Sequence, residues 1–195
     1  AKLMFCVGFL SVVTLIVGLI GMYSIDQVAD KGEKIYSDGL MPCLHLTGIE
    51  QSFTDIHTYY LHVAYGGQPA DLNKLQSKIS EEEALIKAYA NYDLDAEIMA
   101  LYEILKDSFT SYNNAVYNHI KNIGTTASMT SVEKMNQVIS YTDKVQIALN
   151  NLNEKEMARA EGKKKENEQI AILAKEGLMG MMLVGIVVSL VIVYG

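Results

Sequence analysis

The run from Gly177 to Tyr194 contains no charged residue and, as a helix rising 1.5 Å per residue, is about long enough to cross a hydrocarbon core of roughly 30 Å. Nothing separates it from the amphipathic pattern that precedes it. Upstream, Met135, Val138, Thr142, Val145, Leu149 and Leu152 recur at alternating spacings of three and four, which makes a bundle-facing stripe. From Val132 to Tyr194 there is no proline and no turn cluster, so one helix is predicted over the whole stretch. Its first part belongs in a water-soluble bundle and its last part in a bilayer. A rigid element of that kind is able to carry a displacement from one side of a membrane to the other.

Half the residues are hydrophobic, and their distribution is uneven because a second uncharged run, Leu3 to Tyr23, lies at the other end. Its apolar stretch exceeds the roughly 7–15 residues of a secretory signal core, and no Ala-x-Ala-like cleavage site follows, so it reads as a retained span. Two spans, 3–23 and 177–194, put both termini on one side and segment 24–176 on the other. That middle segment carries all 23 acidic residues and every basic residue except Lys2. Its acidity argues against nucleic acid or an anionic lipid surface as partner. Lys2, the only charge flanking the spans at the N-terminal end, points to cytoplasmic termini and an exported middle segment. Cys6 lies in the first span and Cys43 is alone outside it, which excludes an intrachain disulfide framework. Cys43 is read either as a small half-buried hydrophobe or as a bridge to the same residue of a partner subunit. A start at Ala1 without an initiator Met, and an end at Gly195, suggest a fragment.

Between the spans the pattern stays helical. Leu46, Ile49, Phe53, Ile56, Tyr60 and Val63 step by three and four, while Pro42 should bend or interrupt that helix. Gly66-Gly67-Gln68-Pro69 ends it. A second helix is expected from Asp71, with Leu72, Leu75, Ile79 and Ile86 inside and Glu81-Glu82-Glu83 on a solvated face, closing at Asn91-Tyr-Asp93. A third runs from about Leu94 to Asn122 with Tyr102, Leu105, Phe109, Tyr112, Val116, His119 and Ile123 on its stripe. Gly124 to Ser131 reads as a loop, with Thr130 and Glu133 placed for a capping box. The fold class is therefore all-α: a membrane-anchored up-down-up-down four-helix bundle flanked by two transmembrane helices. The inner two helices are the shorter ones, so the membrane-proximal part should be a two-helix neck. There the fourth helix has few apolar residues, and Lys163-Lys164-Lys165 reads as a solvated face.

Span, long helix with the segment Gly39-Leu-Met-Pro-Cys-Leu44, helical hairpin, long helix and second span: this arrangement resembles the four-helix-bundle sensory region of bacterial methyl-accepting chemotaxis receptors. The likeness covers the whole chain and is carried by architecture, heptad pattern and the Leu40-Met-Pro42 echo of the family's short Leu-Pro segment. It implies a homodimer in the cytoplasmic (inner) membrane, with a small ligand bound near the distal end of the bundle, often across the dimer interface. It also implies a sliding or tilting of the fourth helix, passed to a cytoplasmic HAMP linker and signalling module beyond Gly195. One departure matters. Receptors for aspartate or serine in this family hold the ligand carboxylate with arginines on the first helix, and this chain has no arginine before Arg159. Bundles of this shape also serve sensor histidine kinases and cyclic-nucleotide enzymes, and a membrane-anchored structural or interaction protein is the rival reading.

No phosphate loop, Cys-x-x-Cys, His-Glu-x-x-His or nucleophile elbow occurs, so neither catalysis nor a cofactor is expected. His57 and His62 are five apart on one helix, the wrong spacing for a shared metal, and no metal site is expected. His119 falls on an inner stripe and reads as a satisfied core histidine. The expected ligand site gathers polar groups on or beside apolar stripes at one level of the bundle. These are His57, Tyr59 and Tyr60 on the first helix, Asn113 and Tyr117 on the third, and Tyr141, Thr142 and Lys144 on the fourth. Thr142 is a hydroxyl at an otherwise apolar seam position, with a bond to the carbonyl one turn back as its ordinary explanation. Lys144 would suit a small organic acid, and the tyrosines an aromatic or uncharged compound.

Overall fold

Pro42 has no N–H to offer the carbonyl four residues back, and its ring crowds that carbonyl. In the computed structural model, which describes residues 2–66, 69–121 and 128–194, the first long helix meets this residue with a widened turn. Helix α1 (Lys2–Ile35) passes into a π-helical turn at Tyr36–Leu40, and α2 (Met41–Ala64) starts with the proline in its first turn. The interruption expected from Pro42 is thus a single loosened turn.

Helix α2 ends at Tyr65, whose N–H returns to the Leu61 carbonyl at 3.0 Å, and Gly66 follows with φ +98°, a conformation that favours glycine. Helix α3 (Pro69–Tyr89) begins two residues before the expected Asp71. Helix α4 (Ala96–Ile120) is entered through Asp95, whose carboxylate accepts from the N–H groups of Glu97 and Ile98 at 3.0 and 2.9 Å. Such a cap is worth about 1 kcal/mol. Those two bonds, the Ile98 one foremost, hold the Asp95 carboxyl below its usual range. The final helix, α5, spans Ser128–Tyr194. Its start corrects the expected loop: Thr130 is already the third residue of the helix, past the N-cap position, so it cannot cap it, and Ser and Thr are tolerated there at a helix cost of only about 0.5 kcal/mol each. Ile123 and Gly124 to Ala127 lie outside the described residues.

No strand occurs among the described residues, and the chain divides into two units. The unit Asp38–Arg159 is the four-helix bundle, formed by α2, α3, α4 and the part of α5 that ends at Arg159. Its core takes Leu46, Ile49, Phe53, Ile56 and Tyr60 from α2, Leu75, Ile86 and Tyr89 from α3, and from α4 the expected Tyr102, Leu105, Phe109, Tyr112 and Val116 together with Ile98 one turn before them. Val138, Val145, Leu149 and Leu152 come from α5, each at most 3% exposed. Burying a side chain of this size stabilises by roughly 1.5–3 kcal/mol. Phe53 sits edge-on to Phe109 and Tyr112, with ring centres 5.4 and 5.0 Å apart.

The other unit, Ala1–Ser37 with Ala160–Gly195, contains only α1 and the rest of α5. The Lys31 ammonium bonds Glu166 at 2.5 Å, and a Cβ placed on Gly185 would stand 3.4 Å from Val13 Cγ1. Gly18, Gly177 and Gly180 have open space instead, so of these span glycines Gly185 is the one at close contact. Two helical runs, Val7–Ala64 and Val132–Val191, hold windows long and apolar enough to cross a membrane, and those windows are 0% and 6% buried. A helix of a soluble core would bury such a run. Lys164 and Lys165 pair with Glu168 and Glu161 one turn away on an exposed face, as the solvated reading expects.

Candidate functional site

Phenols and imidazoles at seam positions must find partners inside the bundle, and they find each other. The Tyr60 hydroxyl lies 2.9 Å from His119 Nδ1, and the Tyr112 hydroxyl 3.2 Å from His57 Nδ1. Burial lowers the pKa of both histidines, with Lys134 adding to the effect on His119, so both are neutral at pH 7 and able to accept from a phenol. Burial likewise pushes Tyr60 up to about 12. His119 is the hydrogen-bonded core histidine that its stripe position implies. Nearer the start of α2, His45 Nε2 donates to the Leu85 carbonyl at 2.9 Å, which leaves Nδ1 to face the Tyr92 hydroxyl at 3.4 Å.

Two glutamates are buried where a solvated residue was expected or none was singled out. Glu82, expected on a solvated face, is 0% exposed, because α3 turns the middle of its acidic run toward α2. Neither of its carboxylate oxygens, nor the buried Ser52 hydroxyl, makes a hydrogen bond of full geometry. Burial raises the Glu82 carboxyl to about 7, against a smaller opposing pull from Ser52 and a further push from Glu81. Glu156, also 0% exposed, accepts from the Tyr89 hydroxyl at 2.5 Å. Arg159 Nη1 stands 3.6 Å from its other oxygen, and Arg159 Nη2 donates to the Asp93 carbonyl at 2.6 Å. Burial first, then the Glu156 bond, raises the Tyr89 phenol far above its usual value. Cys43, half-buried as one of its readings has it, is pushed up by burial and then by Glu156.

The eight residues expected at a ligand site fall into three settings. His57, Tyr60 and Thr142 are engaged internally, the first two as above and Thr142 by donating to the Val138 carbonyl at 2.9 Å. Tyr59, Tyr117, Tyr141 and Lys144 reach the outside: Tyr117 is exposed, Tyr59 lies under the Lys74 ammonium at 5.8 Å, and Lys144 stands 4.9 Å over the Tyr141 ring. Asn113 is set apart. It lines a groove between α3 and α4 with a buried Oδ1 that has no hydrogen-bond partner.

Sequence reasoning passed over Glu82, Glu156 and Ser52. The signal for two of them was present, since Leu75, Ile79, Glu82, Ile86 and Tyr89 step by four and three, as do Val145, Leu149, Leu152 and Glu156. Charge outweighed register in that reading. Among the described residues no group of three or more His, Cys, Asp or Glu side chains is arranged to hold a metal ion.

One family model, described as a four helix bundle sensory module for signal transduction, matches residues 1–171. No curated protein and no solved structure matches the chain.

Proposed function

The chain belongs to the four-helix-bundle sensory modules of signal transduction, the input type of methyl-accepting chemotaxis receptors, and on that footing we propose that it binds a small extracytoplasmic molecule and passes a helix displacement to a cytoplasmic module. The family is a sensory one and not a catalytic one. The observation that carries the proposal is the family match over residues 1–171, together with an α5 whose residues Val138 to Leu152 lie in the bundle core and whose later stretch holds an apolar window. Under this reading the chain is a non-enzymatic receptor portion, multi-pass in the cytoplasmic membrane, with segment 24–176 outside. It works as a homodimer coupled to a HAMP linker and signalling module. Contacts with ligand are proposed at Tyr59, Tyr117, Tyr141 and Lys144, of which Tyr117 and Lys144 are exposed and Tyr59 and Tyr141 partly so. His57, Tyr60 and Thr142 would have to surrender internal bonds to join them.

The test is to join residues 1–195 to the HAMP and kinase-controlling module of a chemoreceptor of known output, and to apply fractionated small metabolites to cells carrying the fusion. Kinase output should change with at least one fraction. Output that stays constant for every fraction, from a fusion shown to control the kinase, would favour the structural or interaction protein.

A further inference from the structure

Glu82 occupies the middle layer of the bundle, and contacts between the helices fix its height. Lys78 of α3 meets Asp55 of α2 at 3.5 Å, Phe53 of α2 lies edge-on to Phe109 and Tyr112 of α4, and Gln146 of α5 bonds Glu50 of α2 at 3.4 Å. One turn on from Lys78, and three residues back from Asp55, Glu82 and Ser52 stand at one level with Tyr112 and Val145, all four buried. The groups able to answer a charge in this layer are few. On α3, Glu81 and Glu83 are exposed and of the same sign, and Lys78 is committed to Asp55 and to Glu81, the latter at 2.9 Å. From α2 comes the Ser52 hydroxyl, with His57 beyond it and neutral. From α4 comes Tyr112, whose hydroxyl is turned to His57 Nδ1 at 3.2 Å. From α5 comes Val145, which carries no charge, and the Glu50 carboxylate is held at the surface by Gln146.

A carboxylate enclosed here has neither a counter-ion nor a full hydrogen bond, so the packed bundle accommodates only the protonated acid. Water is one residue away on either side, at Glu81 and Glu83, so a roll of α3 hydrates the group. Glu82, Ile86 and Tyr89 share one stripe of α3, and Tyr89 donates to Glu156 of α5 at 2.5 Å. A shift of α3 is therefore felt by α5 just before Arg159, where the bundle unit ends.

We propose that Glu82 makes this bundle a sensor of external pH: protonated, it seats α3 on α2, and once its proton passes to water the carboxylate leaves the layer and α3 shifts against α5. Burial raises this carboxyl to about 7, so the exchange falls near neutrality. The assignment rests on the sensory reading, for which it names the proton as a stimulus.

The probe is external pH, applied to cells carrying the kinase-controlling fusion with their cytoplasmic pH clamped. Kinase output should step with a midpoint near pH 7. Glu82→Gln, which mimics the protonated acid, should stay at the acid-side output throughout. Glu81→Gln, which removes a neighbouring negative charge, should move the midpoint down, and Ser52→Ala, which removes the one nearby hydroxyl, should move it up. Infrared titration of the full chain in nanodiscs gives a second reading: a carboxylic-acid carbonyl band should vanish around pH 7 and be missing from Glu82→Gln. A step that persists in Glu82→Gln, a fusion that controls the kinase but shows no step, or the absence of that band overturns the assignment. Metabolite fractions applied to the same fusion at constant pH judge the sensory reading separately, so an answer to a metabolite without an answer to pH sinks the proton alone.

Discussion

A carboxyl that is buried and lacks a full hydrogen bond keeps its proton well above the ordinary glutamate range, and Glu82 keeps it to about pH 7. Its folded pKa is raised above the unfolded value of 4.5, so its contribution to stability is complete below 4.5 and is lost as pH rises through about 7. The chain should therefore lose about 3 kcal/mol of stability between pH 4.5 and 8 through this residue. Glu82→Gln should remove that slope and be the more stable form at pH 8. Chemical unfolding of both proteins in detergent at several pH values measures it, and parallel pH dependences would sink the idea. Residue by residue, the sequence was most legible where chemistry and register agreed. His119, Tyr60 and the aromatic stripe of α4 are buried as their spacing implies. Glu82 was misread, and Glu156 was not singled out, because a charge normally wins over a seam position, and only packing shows that here it does not. The groove around Asn113 was illegible for another reason: Lys87 and Lys106 come together from separate helices, and no spacing within one helix encodes that.

At the scale of the element, α5 is the one on which the proposed function depends. It holds the bundle-facing Val138, Val145 and Leu152, then the paired charges Glu161–Lys165 and Lys164–Glu168, then the apolar run. Each stretch suits a different surrounding without a break in the hydrogen-bond ladder. Inserting two glycines after Gly162 should cost about 2 kcal/mol of local helix stability and uncouple ligand binding from output while leaving the bundle folded. Kinase control by the fusion, measured beside ligand affinity, is the check, and unchanged signalling rules out a rigid-rod mechanism. Element boundaries were readable where backbone chemistry is decisive, as at Pro42 and Gly66. They were off by a few residues at the start of α5, where serine and threonine are compatible with loop and helix alike.

For the whole molecule, the expected homodimer makes a specific demand: the unit of α1 and the later part of α5 is only two helices, too few to enclose a core alone. Cysteines introduced singly along 24–40, with Cys6 and Cys43 replaced by serine, should cross-link between subunits at positions that recur every three or four residues. A protein that remains monomeric at every position would remove the dimer from the proposal. The chain contains 12 tyrosines and no tryptophan, so its near-ultraviolet emission is tyrosine emission alone. Among them Tyr89 donates a hydrogen bond to the Glu156 carboxylate, which belongs to α5. An excited phenol is a stronger acid than a ground-state one, and a carboxylate in hydrogen-bond contact is a ready acceptor for its proton. Red-shifted, tyrosinate-like light is therefore expected from Tyr89, which would make the contact between α3 and α5 visible without any attached dye, and that colour should fade if α5 slips away from its neighbour.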